Sequence, residues 1–117
     1  MSAQPPQTQA RSELPAAESV RVADLVNYQE GAVVSRALLK RATGTVTMFA
    51  FDADQGLSEH TSPFDALVQV LEGHAEVTVA GNPIPTKAGE CVLLPANRPH
   101  AVKATTPFKM LRTMIRS

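Results

Sequence analysis

The chain has 117 residues, 44% of them hydrophobic and 19% charged, which is the size and balance of one ordinary globular domain. Eleven lysine and arginine residues balance eleven aspartate and glutamate residues, so the chain lacks the bulk positive charge that neutralises phosphates, and we expect no nucleic-acid partner. No apolar stretch approaches the roughly 18 residues that span a membrane, and the N-terminus lacks a secretory-signal pattern. We therefore expect a cytoplasmic protein without a membrane contact.

The N-terminal segment differs in composition from the rest of the chain. Residues 1–18 are rich in glutamine, proline, alanine and serine without apolar periodicity, which predicts a flexible N-terminal arm. Residues 19–117 are then the single domain. Its first apolar cluster, between Val20 and Val26, is compatible with either a helical turn or an edge segment.

Beyond residue 30 the chain consists of short apolar segments separated by turns. Glycine occurs in four of these turns, at positions 44, 73, 81 and 89. The predicted strands are residues 32–40, 45–52, 65–72, 75–80, 90–94, 99–104 and 108–115. Many short strands at this spacing, with no well-supported long helix, predict an all-β sandwich or barrel. The one cysteine, Cys91, is expected to be a small buried residue on one of these strands.

Several predicted strands are apolar on both faces. On residues 45–52, Met48 and Ala50 alternate with Phe49 and Phe51. One face can line the interior of a barrel, but the other needs a separate cover. We therefore predict a homodimer, in which a second copy of the chain supplies that cover.

Two segments carry glycine, proline and histidine at a characteristic spacing. The first runs from Gly56 to Gly73 and contains His60, and the second starts at Gly89 and contains Pro95 and His100. Together they resemble the two halves of the cupin signature. The resemblance covers about residues 30 to 116 and implies a small single-domain cupin, an RmlC-like jelly-roll barrel (a double-stranded β-helix). It also implies that histidines from both segments converge on an interior site.

The ligand positions of the cupin pattern are only half filled. His60 and His100 occupy two of the histidine positions, while Ser62 and Ala66 stand where the pattern has a further histidine and a glutamate. Two imidazoles without a carboxylate are an incomplete ligand set for a divalent metal, since durable zinc sites supply three or more protein ligands. Asn97 replaces an internal glycine, a mild change because asparagine tolerates a positive φ.

Strand alternation places further residues near the two histidines. If His60 points inward then so does Ser62, and Ala66 and Val68 line the same interior with His100. We add Met48 as a possible lining residue; the pocket is thus His60, Ser62, Ala66, Val68, His100 and Met48. Asp65 and Glu59 have the wrong parity to act as ligands unless a bulge intervenes. Lys109 and Arg112 are interpreted as solvated charges.

Three functions remain open from the sequence. The first is a pocket that binds a small molecule through His60 and His100, with or without one divalent metal ion. The second, implied by the resemblance, is a metal-dependent oxygenase, isomerase or decarboxylase acting on a small organic acid or phenol. The third is a non-catalytic dimeric domain. The architecture does not choose among them, because one fold hosts many activities.

Overall fold

The structure, a computed structural model, describes residues 8–9 and 13–116 of the chain. Within these residues the only helical element is a single 3₁₀ turn, Val22–Asp24. The strands are β1 (Thr8–Gln9), β2 (Val33–Arg41), β3 (Gly44–Phe51), β4 (Gly56–His60), β5 (Asp65–Glu72), β6 (His74–Val79), β7 (Asn82–Lys87), β8 (Cys91–Leu94), β9 (His100–Ala104) and β10 (Phe108–Ile115). No described helix has the length and apolar character required to cross a membrane.

The described strands form two sheets. The large sheet has the order β1-β2-β3-β10-β5-β8, and the small sheet has the order β4-β9-β6-β7. All pairings beyond the β1–β2 pair are antiparallel, and the strand that ends the chain, β10, lies between β3 and β5. This crossing of early and late strands is the jelly-roll arrangement, so the predicted all-β cupin barrel is confirmed.

Besides the two-residue β1, which lies within the predicted N-terminal arm, two strands were not predicted from the sequence. The first, β4, lies within the first histidine segment. The second, β7, contains Pro83 and Pro85, which lack the backbone N–H that a central strand needs. Because β7 is an edge of the small sheet and pairs only with β6, it needs hydrogen bonds on one side alone.

The main core fills the space between the two sheets. Phe51 and Phe108 stack there with ring centroids 4.5 Å apart, and Phe49 continues the row at 5.8 Å from Phe51. The buried residues Val68, Val77 and others from both sheets surround them. Burial of large aromatic side chains is the main stabilising contribution of such a core.

The outer face of the large sheet has its own apolar cluster, which the chain itself covers. Met48 and Ala50 are fully buried on this face, beneath Val26 and the partly buried Leu14 and Leu25. The argument that this face needs a second copy of the chain is therefore wrong, since the segment before β2 supplies the cover. Homodimer formation itself stays a prediction.

Lys109 helps to attach this covering segment. Its side chain is buried, Nζ donates a 2.6 Å hydrogen bond to the carbonyl oxygen of Ala23, and the ammonium lies 5.0 Å from the centre of the Tyr28 ring. Lys109 is thus not the solvated charge predicted from the sequence. Cys91, by contrast, is exposed rather than buried, because its side of β8 faces outward at a sheet edge.

The predicted N-terminal arm lies mostly outside the described residues. At its C-terminal end, the Leu14 amide donates a 3.1 Å hydrogen bond to the Leu38 carbonyl, and Glu13 forms a salt bridge of 3.1 Å with Arg41. The described part of the arm therefore runs along β2. The mobility of the arm and the domain boundary at residue 19 stay predictions.

Candidate functional site

The two histidines of the sequence motifs meet on neighbouring strands of the small sheet. His60 at the end of β4 is paired with His100 at the start of β9. Leu57 is paired with Val102, so three residue steps along β4 correspond to two along β9, which defines a bulge. The extra residue reverses the alternation and brings His60 to the same interior side as Leu57.

The imidazoles contact each other at one end of the barrel. Their ring centroids lie 4.3 Å apart with the rings 67° from coplanar. His60 Nδ1 is 2.9 Å from the Ser58 carbonyl oxygen, and His100 Nδ1 is 3.4 Å from that of Arg98. Because a carbonyl oxygen can only accept, Nδ1 is the donor in both rings, and in a neutral ring the other nitrogen, Nε2, is an acceptor.

The interior position of His100 disfavours its charged form. The residue is 8% exposed, whereas His60 is exposed at the barrel end. Burial, and then the positive charges of His60 and Arg112, lower the pKa of His100 below its usual 6.5, against the opposing effect of the Arg98 carbonyl. His100 is therefore a neutral imidazole at physiological pH.

This shift predicts a loss of stability in mild acid. Below pH 6.5 the unfolded chain protonates His100 more readily than the folded chain does, so the free energy of unfolding should fall as the pH decreases from 8 toward 5. Replacing His100 with glutamine, which does not titrate, should flatten the profile. Urea denaturation of both proteins across this pH range measures the effect. If the free energy of unfolding depended on pH in the same way in both proteins, the lowered pKa of His100 would be contradicted.

Apart from the two histidines, the residues predicted to line the pocket occupy different parts of the structure. Ala66 and Val68 are buried on the interior face of β5, and the inward set His100, Val102 and Ala104 on β9 is as expected. Ser62 lies instead in the loop after β4. Its hydroxyl accepts a 3.1 Å hydrogen bond from the Phe64 amide, and its carbonyl accepts one from Asn97. Ser62 therefore stabilises the loop.

Met48 does not line the pocket, contrary to the sequence-based prediction. It is buried in the outer cluster with Val34 and Leu38, on the face of β3 opposite Phe49 and Phe51. The alternation of side chains along a strand is the reason, since Met48 has the opposite parity to the phenylalanines that fill the barrel.

The donor set does not fit a resident metal ion. No group of three or more histidine, cysteine, aspartate or glutamate side chains suited to a metal exists among the described residues. Asp65 has the outward parity expected for it, and its Oδ1 accepts a 2.8 Å hydrogen bond from the Ala96 amide. Glu59 is exposed. The two neutral imidazoles thus lack the anionic ligand that would offset the charge of a divalent ion.

Arg112 lies on the interior face of the barrel. It is not the solvated charge predicted from the sequence. Arg112 has the same parity on β10 as the core residues Met110 and Met114, and it is paired with Val68 on one side and Thr47 on the other. Its guanidinium lies 4.9 Å from the centre of the Phe49 ring. The signal was available, since Arg112 is the one charged residue in the alternate series Phe108, Met110, Arg112, Met114.

Two sheets that enclose one core, with two histidines on adjacent strands at one end, define a cupin-type barrel. Consistent with this geometry, the family model described as "Cupin domain" matches residues 47–114. The chain belongs to the cupin family.

Similar solved structures have the same fold over nearly the whole chain. A conserved protein of unknown function from Streptococcus pyogenes is 28% identical with a TM-score of 0.86, and the match covers 95% of this chain and 96% of that one. A cupin superfamily protein from Desulfitobacterium hafniense is 26% identical, with a TM-score of 0.84 and coverage of 91% and 97%. A cupin 2 conserved barrel domain protein from Leptotrichia buccalis is 42% identical, with a TM-score of 0.78, over 80% of this chain and 46% of that one. A comparison with curated proteins gave no match.

Proposed function

We propose that this cupin binds a small organic molecule at the end of its barrel, through His60 and His100, without requiring a metal ion. The observation that carries the proposal is the contact between the two imidazoles, whose centroids are 4.3 Å apart and whose Nδ1 atoms are both directed to backbone carbonyls. This arrangement leaves Nε2 of each ring as the nitrogen that can accept a hydrogen bond from a ligand. A ligand that donates hydrogen bonds can use both.

The walls beside the histidines support the same proposal. Ala66 and Val68 are buried and apolar, and Val102 lies next to His100 on the same face. Small-molecule sites typically combine apolar walls with a few polar groups that fix the orientation of the ligand. Two imidazoles on an apolar barrel wall are such a combination.

The proposal is tested by screening a fragment library with ligand-observed NMR in the presence of EDTA. We expect fragments that bind the full chain and lose about tenfold or more in affinity in His60→Ala and in His100→Ala, since one hydrogen bond to a buried group contributes about 1–1.5 kcal/mol. His74→Ala is the matched control, because His74 is exposed at the start of β6. Equal losses in all three variants would contradict a site at His60 and His100.

Elemental analysis of untagged protein purified without chelators separates this function from a metal-dependent one. We expect metal well below one equivalent per chain, even after incubation with divalent ions. Stoichiometric metal that disappears in both His60→Ala and His100→Ala would overturn the metal-free proposal and favour the metal-dependent enzyme.

We also propose that two copies of the chain associate through the β8 edge of the large sheet. Leu93, Leu67 and Ile115 are 61%, 37% and 59% exposed, and Leu93 is paired with Leu67 across β8 and β5. Their contact with a second copy would remove this apolar surface from water. Sedimentation at micromolar concentration should give the dimer mass, and Leu93→Lys should give a monomer. A monomer mass for the unmodified chain would exclude the dimer.

A further inference from the structure

Arg112 is a cation within an apolar wall and has no partner of opposite charge. Neither of the two salt bridges among the described residues involves it, and its buried Nε atom has no hydrogen-bond partner there. Removing a charged group from water without a counter-charge is costly, by several kcal/mol. A methionine, as at the flanking positions Met110 and Met114, would pack here without that cost. A partly buried guanidinium whose buried Nε atom has no partner therefore needs an explanation beyond stability.

The orientation of the guanidinium leaves it able to bind a planar anion. The Cζ atom of Arg112 lies 4.9 Å from the centre of the Phe49 ring, and this cation–π contact holds the group. The N–H groups of arginine lie along the edge of its plane, and their spacing matches the two oxygens of a carboxylate. The Nε atom of Arg112, on this edge, has no hydrogen-bond partner among the described residues.

A neighbouring polar group on the interior face also lacks a hydrogen-bond partner among the described residues. The Thr45 hydroxyl is buried and has no hydrogen-bond partner among the described residues. Thr45 lies two residues from Thr47, the cross-strand neighbour of Arg112 on β3. His100 is close enough for the charge of Arg112 to contribute to lowering its pKa. A donor hydroxyl, a guanidinium and an imidazole therefore share one region of the barrel.

The end of the barrel near Thr45 carries basic side chains, one of which, Arg41, is paired with Glu13 at 3.1 Å. A cavity of about 280 Å³ there is lined by Thr45, Met114 and Phe64 and by three cations, Lys40, Arg41 and Arg116. None of the described residues that line it is acidic. Clustered charges of one sign raise the local concentration of ions of the opposite sign. The entrance is therefore suited to anions small enough for this volume.

We infer that the barrel binds a small organic carboxylate, with Arg112 as the anchor of the carboxylate group and Thr45 as a further hydrogen-bond donor. The inference rests on the proposed function and names the ligand class of that same site. The carboxylate supplies the charge that Arg112 lacks, and the body of the ligand contacts the apolar walls near His60 and His100.

The test compares acids with amides of the same shape. Aliphatic and aromatic carboxylates such as isobutyrate and benzoate are titrated into the ¹⁵N-labelled full chain, each beside its own amide, and dissociation constants are taken from chemical-shift changes. We expect at least one acid to bind roughly 10- to 100-fold more tightly than its amide, the difference that a charge-assisted hydrogen-bond pair gives. Arg112→Met should abolish the preference. Arg98→Met, which removes an exposed cation near the same end, should keep it.

A second measurement shows that the Arg112 variant is folded. Without ligand, Arg112→Met should melt at a higher temperature than the unmodified chain, because it removes a partly buried charge that has no counter-charge among the described residues. Equal affinity of the unmodified chain for acids and amides would overturn the carboxylate inference and leave the binding pocket standing. A preference that survives in folded Arg112→Met would also overturn it. Failure of every acid and every amide to bind would overturn both the inference and the proposed function.

Discussion

Replacing Gly73 with alanine is expected to lower the free energy of unfolding by roughly 3–5 kcal/mol. Gly73 has a φ of +82°, which side chains other than glycine rarely adopt, and a Cβ atom there would lie 2.1 Å from the Pro107 carbonyl oxygen and 2.8 Å from the Phe108 Cα. Both contacts are with backbone atoms, so relief requires β10 to move away from the turn. The Phe108 ring, stacked on Phe51, would be displaced with it.

Gly81 provides a matched control for this change. Its φ is +83°, almost the same as that of Gly73, yet a Cβ atom there would meet nothing within 4 Å. Gly81→Ala should therefore cost only the backbone strain, about 1–2 kcal/mol. Urea denaturation of the two variants distinguishes the loss of stability caused by the close backbone contacts from the loss caused by the positive φ. Similar losses in both would contradict the role given to Pro107 and Phe108.

The second large effect is a gain of metal binding when the two missing ligand positions are filled. In Ser62→His combined with Ala66→Glu, the chain regains the four residue types of the cupin pattern: the carboxylate at position 66 joins His60 and His100, and the imidazole at position 62 is supplied from the loop after β4. Because Ala66 is buried on the interior face of β5, a glutamate there points into the barrel. We expect zinc or manganese affinity to rise by at least about 100-fold over the unmodified chain, measured by competition with a chelator.

The control for the metal design places the same carboxylate on the other face of the strand. Leu67 is next to Ala66 on β5 and is paired with Leu93 on the outer side of the sheet, so Ser62→His with Leu67→Glu should gain little. Without metal, the Ala66→Glu protein should be less stable, since a buried carboxylate has no partner, and added metal should restore the stability. Equal metal affinity for the two designs would contradict the inward direction of position 66.

Much of the fold could be predicted because its signals are local. Short β-rich segments separated by glycine turns predicted most strands, and Gly73, Gly81 and Gly89 all have positive φ values, as such turns require. Asn97 also has a positive φ, 65°, which confirms that asparagine replaces the family glycine at little conformational cost. β7 was not predicted because a strand tolerates its prolines only at the edge of a sheet. Whether a strand lies at an edge depends on the order of strands in the sheet, which the local sequence does not specify.

The site was less predictable because it depends on parity and register. The sequence predicted that His60 and His100 converge. They do so through a bulge between Leu57 and His60, and no residue of β4 indicates that bulge in the sequence. Met48 was placed on the wrong face, and Arg112 was taken for a surface charge although it shares the interior face of β10 with Met110. A single step along a strand exchanges the interior for the exterior.

The sequence by itself determined the cupin barrel, the retention of two histidines and the loss of the ligands at positions 62 and 66, because residue spacing and residue chemistry are read directly from the chain. Only the tertiary structure decided which side chains share the interior. It brought the imidazoles of β4 and β9 into contact, covered the outer sheet face with the segment before β2, and left Arg112 beside Phe49 without a counter-charge. The physical reason is that burial and electrostatic partners arise from strands distant in sequence, whose pairing no local pattern specifies.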